Sequence, residues 1–332
     1  MTKLDLRLSR RQALAAAGGA LVAATWTGLR PAAAAATIRQ GYQTNMWGMP
    51  TYYLMHSGHL EKHGIKAEDF PVPAGNITMQ QMVARQVDLG TYAGPSLLIG
   101  HDRGGLVAVA MIEYAGGTIR VMGRKDEHLT KIEDLRGKKV ANQTGSSVGN
   151  IFVDVVMPAH GLHKGDYDEV RMNVNDMVSA MLAKTIDAMV CVEPYNSIAE
   201  SEGIANTILD FYEVDKLPVF MAATPDFVEK HGDVLVPYLK AWLDVGKDFK
   251  DEPDKVADVI YAFYTSKGYK LSRDVFKKAL SGIRVQPGFP PEVELKPYMD
   301  RYADELIEAK KIQAKPDLGK IMMRQFMHDA EA

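Results

Sequence analysis

The stretch MLAKTIDAMVCVEP, Met181 to Pro194, repeats one written ninety-nine residues earlier, MVARQVDLGTYAGP, Met82 to Pro95. Met, Ala, Asp and Pro recur at matching places, and Arg85/Lys184 and Val87/Ile186 are like-for-like exchanges. Each copy reads as a helix, a turn, then a short apolar strand that starts after an aspartate (Asp88, Asp187) and ends at a proline. A loop follows each strand, Ala93-Gly94-Pro95-Ser96 or Glu193-Pro194-Tyr195, and then another helix. All α/β units share this grammar, so coincidence is the bland alternative; we take the likeness as shared architecture.

Around the two copies the pattern is the same. Strands are expected at Thr37–Tyr42, Ile65–Val72, Asp88–Tyr92, Val107–Ile112 and Thr118–Arg124. Helices fit Thr51–His63, stopped by Gly64, then Asn76–Arg85 and Ser96–Arg103. The cycle restarts with a short helix at Lys131–Leu135 and strands at Lys139–Asn142, Tyr167–Val174, Ala188–Val192 and Pro218–Thr224. Helices opening at Gly145-Ser146-Ser147, at Asp176 and at Tyr195 lie between them. Helices alternating with short apolar strands predict α/β sheets that are mainly parallel, with helices on both faces. From Pro225 onward apolar residues recur at three- and four-residue intervals, a helical C-terminal coat broken at Gly232, Pro253, Gly268 and Pro287–Pro291.

Composition bounds the function. With 24% charged and 46% hydrophobic residues the 332-residue chain reads as globular, with room for two domains. Residues 1–36 hold Lys3, Arg7, Arg10, Arg11 and Arg30 against Asp5, so the remainder of a chain of net charge −3 carries about −7. A mildly acidic body argues against nucleic acid as a partner, which needs clustered Lys and Arg. The basic opening with Ser9-Arg10-Arg11, the apolar run Ala13–Gly28 and the tract Pro31–Ala36 have the layout of a twin-arginine export signal removed near Ala36. The competing reading, a membrane anchor, has too short an apolar run. The single cysteine, Cys191, forms no internal disulfide and reads as a small buried hydrophobe.

Taken in order, the export signal, LEKHGI (60–65), RQVDLG (85–90), DLRGKKVANQTGSS (134–147) and KTIDAMVCVEP (184–194) resemble the substrate-binding proteins of nitrate/sulfonate/taurine-type ABC importers, whose relatives bind pyrimidine precursors. The resemblance covers roughly residues 37–225. It implies a two-lobed periplasmic binding protein, type II-like, that closes on a small solute and delivers it to a membrane permease. It further implies two chain crossovers, with lobe one at 37–121 plus 220–332 and lobe two at 122–219. On this reading the protein is a periplasmic monomer, not an enzyme, and nothing in the sequence calls for a cofactor.

Ligands of open parallel sheets bind beyond the carboxyl ends of the strands. That rule selects four loops: Thr44-Asn45-Met46-Trp47, Ala93-Gly94-Pro95-Ser96, Gln143-Thr144-Gly145-Ser146-Ser147-Val148, and Glu193-Pro194-Tyr195. Gly145 permits close backbone approach, and the helix start behind it favours an anionic group. The alternative is that Ser146 and Ser147 simply cap the helix. Trp47 offers a flat apolar face and one N–H donor. Arg120 is positioned either to neutralise an acidic head group or to lie exposed at the hinge, and Glu193 either to face the cleft or to tie down a hinge amide. Such a mixture suits a sulfonate, a carboxylate, an amine or a pyrimidine-like solute.

Other classes are weaker. His56, His59 and His63 at spacings of three and four would share one helical face and present a zinc site. Against it, His63 beside the stop glycine fits a helix C-terminus, and no His-Glu-x-x-His arrangement is present. No nucleophile elbow or phosphate loop supports an enzyme. A periplasmic sensor subunit that hands solute to a receptor is the remaining alternative.

Overall fold

The structure, a computed structural model, describes residues 37–269, 271–286 and 288–332. The export signal assigned to residues 1–36 lies outside the described residues. Eleven strands are described: β1 Ile38–Gln43, β2 Ala67–Val72, β3 Leu89–Ala93, β4 Val107–Tyr114, β5 Ile119–Arg124, β6 Lys139–Asn142, β7 Asp168–Arg171, β8 Ala188–Val192, β9 Ala205–Asp210, β10 Pro218–Ala223 and β11 Arg284–Val285. They form two sheets, β11-β4-β10-β3-β1-β2 and β7-β6-β8-β5-β9.

The sheets share one plan. In the first, β1 pairs in parallel with β2 and β3; in the second, β6 pairs in parallel with β7 and β8. Beside each parallel trio runs an antiparallel strand that has come from the other sheet, β10 against β3 and β5 against β8. The expectation of mainly parallel sheets is therefore corrected to two mixed ones. The cause is geometric. The crossing chain enters beside the carboxyl end of the parallel set, Ile119 opposite Val192 and Val219 opposite Ala93, so it must run backwards.

The same fact moves the crossovers. β5 lies wholly in the second sheet and β10 wholly in the first. Sheet membership thus changes within residues 115–118 and 211–217, a few residues ahead of the expected 121/122 and 219/220. The second crossover is pinned by the buried Asp215, which accepts from Leu217 N–H at 2.7 Å, from Tyr302 O–H at 2.7 Å and from Arg301.

β3 and β8, the strands of the echoed segments, are buried along their whole length. Covered on both faces, they read as apolar runs without alternation. Cys191 in β8 is fully buried and its thiol is pushed up by desolvation. Two strands escaped the sequence reading. β9 has the polar-rich sequence ANTILD, half exposed at a sheet edge, and β11 has two residues. Beyond Pro225 a helix runs to Asp251, kinked at His231, and further helices at Pro253–Ser266, Arg273–Leu280, Glu292–Glu308, Leu318–Ile321 and Arg324–Glu331 form the coat. Among the described residues no helix is long and apolar enough to cross a membrane.

The first helix departs from expectation in a way that matters for chemistry. It is not continuous from 51 to 63: Met49–His56 and His59–Lys62 are separated at Ser57 and Gly58, where Gly58 takes φ 83°. The three histidines therefore do not share a face. His56 pairs with Asp69 at 2.8 Å, His59 with Asp248 at 2.9 Å and His63 with Asp244 at 3.0 Å. Among the described residues no group of three His, Cys, Asp or Glu is placed to hold a metal, so the zinc arrangement at His56, His59 and His63 is set aside.

Candidate functional site

The carboxyl ends of five parallel strands converge between the two sheets. Gln43 ends β1, Ala93 ends β3 and Val192 ends β8; residues 74–76 follow β2, and Gln143 follows β6. These ends line one inner cavity of about 20 Å³, room for a single water-sized sphere. Asn45, Trp47, Ser96, Ser146, Ser147 and Val148 complete its wall. Among the described residues no ionisable side chain lines it.

Its polar groups differ in what they leave free. Gln43 is spent on the backbone and hydroxyl of Thr91, at 2.7 and 3.3 Å. Asn45 accepts from Trp47 N–H at 3.0 Å, capping a short 3-10 turn. Ser146 accepts from Gly149 N–H at 3.0 Å, so the simple helix cap is made. The Trp47 indole N–H donates to Thr118 Oγ1 at 2.5 Å, which leaves only the ring to face the cavity. By contrast the carbonyl oxygen of Asn76 is buried and has no protein donor. A buried acceptor left unpaired costs about 1–3 kcal/mol.

Ser96 and Ser147 meet across the cleft, Oγ to Oγ at 3.2 Å, one hydroxyl from each lobe. Beyond them lies a second cavity of about 180 Å³, lined by Pro95, Gly145, Gln80, Asn150, Arg103 and Lys311 as well as Asn76, Ser96 and Ser147. The two serines thus divide one cleft into an inner chamber and a vestibule. A wider hollow of about 410 Å³ around Arg124, Leu182 and Ile204 lies on the flank of the second sheet, away from the strand ends, and its polar groups are spent on one another: Arg124 and Lys184 both pair with Asp126.

Six residues expected at the site line the inner chamber: Asn45, Trp47, Ser96, Gln143, Ser146 and Ser147. Pro95 and Gly145 line the vestibule. The other seven lie elsewhere. Thr44 is held by backbone bonds to Val72 and by Tyr264 O–H. Met46 is fully buried and its N–H reaches Glu193 C=O at 3.1 Å. Gly94 packs under Tyr302, where an added Cβ would lie 2.8 Å from the ring. Thr144 turns outward to Glu169.

Arg120, Glu193 and Tyr195 form a separate group at the crossover. Arg120 Nη1 lies 3.3 Å from Glu193 Oε1, an ion pair whose angle falls short of a hydrogen bond, and 3.7 Å from Glu200. The other Glu193 oxygen accepts from Ser197 N–H at 3.1 Å. Burial pushes the Glu193 carboxyl up, and Arg120 and the Ser197 amide only partly offset it. Tyr195 O–H reaches Tyr269 O–H at 3.0 Å and Asn175 at 3.2 Å. Both charged residues thus face each other and line neither cavity.

The sequence loops also held Ala93 and Val148, which line the chamber; sequence reasoning missed Gln43, Ala74, Gly75, Asn76 and Val192. The signal for most was available: the rule that selected loops after two strands of each sheet applies equally to the loop after β2, Pro73-Ala74-Gly75-Asn76.

Comparison with known proteins places this geometry among relatives. A family model described as NMT1/THI5 like matches residues 45–270. A binding protein of Brucella abortus is 27% identical over 234 residues, covering 68% of this chain and 71% of its own. An ABC transporter periplasmic binding protein of Brachyspira hyodysenteriae is 22% identical, covering 76% of each. Among solved structures, the alkanesulfonate-binding protein of Xanthomonas axonopodis bound to MOPS superposes with TM-score 0.74 at 18% identity, over 87% of this chain and 98% of that one. The desulfurization enzyme DszB shares the fold at TM-score 0.66 and 12% identity, over 89% of this chain and 99% of its own.

Proposed function

Since the chain belongs to the NMT1/THI5-like family, we propose that it is the periplasmic solute-binding component of an ABC importer, which closes on a small organic solute and delivers it to a membrane permease. The observation that carries this reading is the inner chamber itself. Neutral hydrogen-bonding groups from both sheets converge at the ends of their parallel strands, and one buried acceptor, Asn76, lacks a donor. The relatives named as periplasmic and ABC transporter binding proteins support the location and the permease partner.

The lobes exchange chain at residues 115–118 and 211–217, beside the cavity, so the hinge lies at the base of the cleft. Opening separates Ser96 from Ser147 and admits solute; solute held by both walls then favours the closed form. In the chamber the solute stacks on Trp47 and meets the amides of Asn76 and Gln143. One chain supplies both walls, which supports a monomeric carrier. The relatives named as binding proteins support binding without catalysis, even though an enzyme shares the fold. Sulfonates, carboxylates, amines and pyrimidine-like compounds are the candidate solutes.

A thermal-shift screen of those four classes, followed by calorimetry on the best compound, tests the proposal. Asn76→Ala is expected to weaken binding about tenfold, the worth of one buried hydrogen bond of about 1.4 kcal/mol, with no loss and, through removal of an unpaired acceptor, a rise in the melting temperature of the free protein. Wild-type affinity in both Asn76→Ala and Gln143→Ala would remove the solute from this chamber.

A further inference from the structure

The vestibule differs from the inner chamber in one respect that decides charge selectivity. Its lining includes two cations, Arg103 and Lys311, and no carboxylate. Arg103 closes the last turn of the helix Gly94–Gly104, whose first turn carries Ser96 to the chamber. Among the described residues Arg103 makes no ion pair and no side-chain hydrogen bond, whereas Arg39, Arg85, Arg120, Arg124, Arg136, Arg273 and Arg301 each face a carboxylate. Lys311 comes from the coat and crosses the cleft: its Nζ donates to Asn150 at 2.9 Å and lies 4.0 Å from Asp154. Asp102, the nearest acid in sequence, is turned away and accepts from Gln313 N–H at 3.3 Å.

The inner chamber offers only partial charges. A helix start carries about half an elementary charge, and here Ser146 and Asn45 already accept from the exposed amides. A guanidinium and an ammonium at the mouth outweigh that, and a guanidinium matches two oxygens of one anionic group at once. The chambers share Asn76, Ser96 and Ser147, so turning the serine hydroxyls apart joins them into one site.

We propose that the vestibule is an anion subsite: the solute is two-ended, with an uncharged hydrogen-bonding end in the inner chamber and a carboxylate, sulfonate or phosphate held at the mouth by Arg103 and Lys311. This rests on the solute-binding reading above and adds its charge and orientation. Lys311, already in contact with the second lobe, then grips the anion only when the lobes are closed.

The test is calorimetry with MOPS, propanesulfonate, butyrate and propyl phosphate, each beside the alcohol of the same carbon skeleton, on wild type, Arg103→Gln, Arg103→Lys, Lys311→Gln and Asn76→Ala. The readout is the ratio of anion affinity to alcohol affinity. In wild type at least one anion is expected to exceed its alcohol by tenfold or more. That ratio should fall at least tenfold in Arg103→Gln, recover partly in Arg103→Lys, and fall less in Lys311→Gln, whose charge is shared with Asp154. Asn76→Ala should weaken anion and alcohol alike and leave the ratio standing. An unchanged ratio in both Gln variants, or alcohols binding wild type while no anion does, overturns the anion subsite and leaves the carrier reading intact. If no compound of either kind binds wild type, both fall.

Discussion

The two echoed segments, 82–95 and 181–194, are the same device put to different uses. In both, a helix stops at a basic residue in the left-handed region, Arg85 and Lys184, each at φ 59°. In both, the next aspartate clasps the neighbouring strand through backbone and side chain: Asp88 with Arg39, Asp187 with Lys139. In both, the strand that follows is flanked by a parallel strand and an incoming antiparallel one. The likeness ends at the last residues. Gly94 has no side chain, so its helix packs close against Tyr302 and presents Ser96 to the chamber. Its counterpart Glu193 has one, which turns back to Arg120 and Ser197. Ser96 becomes Tyr195, whose ring reaches the helical coat at Tyr269. Both copies thus bring a strand end to the chamber, Ala93 and Val192, but only the first follows it with a residue that lines the cavity.

The sharpest way to break this contrast is Arg120→Gln. If the second copy is a hinge anchor, stranding the buried Glu193 should cost about 3 kcal/mol in chemical denaturation at neutral pH. Without Arg120 the raised Glu193 carboxyl rises further. A folded-state value above the unfolded one destabilises at high pH and ceases to matter once pH falls below the unfolded value, about 4.3. The deficit should therefore shrink as pH is lowered from 7 towards 4. A deficit independent of pH would mean that Arg120 acts by packing alone.

A paired experiment sharpens the likeness. Asp88→Ala and Asp187→Ala each remove an acceptor from a strand amide; Asp88 also holds the Arg39 guanidinium at 2.6 Å, whereas Asp187 meets Arg124 only at 3.7 Å. Asp88→Ala should cost about 2 kcal/mol and Asp187→Ala about 1 kcal/mol. Equal losses would show that the close Arg39 contact adds no more than the longer one from Arg124. Next in size, Tyr195→Phe loses the contacts to Tyr269 and Asn175 and should cost about 1 kcal/mol. Solute affinity should not follow it, because Tyr195 lines neither chamber; a drop in affinity would return the second loop to the cleft.

The smallest effect concerns Lys184. Hydrogen bonds from Lys184 and then Arg124 hold the Asp126 carboxyl down to about 2. A depressed carboxylate stabilises the fold above its unfolded value, and the contribution is lost as pH falls from about 4 through 2. In Lys184→Met the Asp126 carbon resonance, followed by NMR, should titrate at a higher pH than in wild type. Stability near neutrality should change little, since both groups are exposed.

How much of this was legible in the residues divides along the same line. The echo, the order of helices and strands, the burial of Cys191 and the choice of Trp47, Ser96, Gln143 and Ser147 follow from period, turn residues and the rule about strand ends. These are local properties, set by which side chains follow one another within a few residues. The break at Ser57-Gly58 is also local, yet the helical histidine spacing conceals it, and in place of a zinc face His56 meets Asp69 while His59 and His63 meet Asp248 and Asp244. The loop after β2 was passed over because Asn76 reads equally well as an ordinary helix start.

The sequence by itself determined that the chain holds two α/β units built alike, each opening loops at the ends of its strands. Only the tertiary structure decided which loop does what. Whether Glu193 faces a solute or Arg120, and whether Arg103 is spent or free, depends on groups brought within a few ångströms from distant parts of the chain. Coulomb and hydrogen-bond energies fall off over that distance, so a side chain's task is set by its neighbours in space rather than by those in sequence.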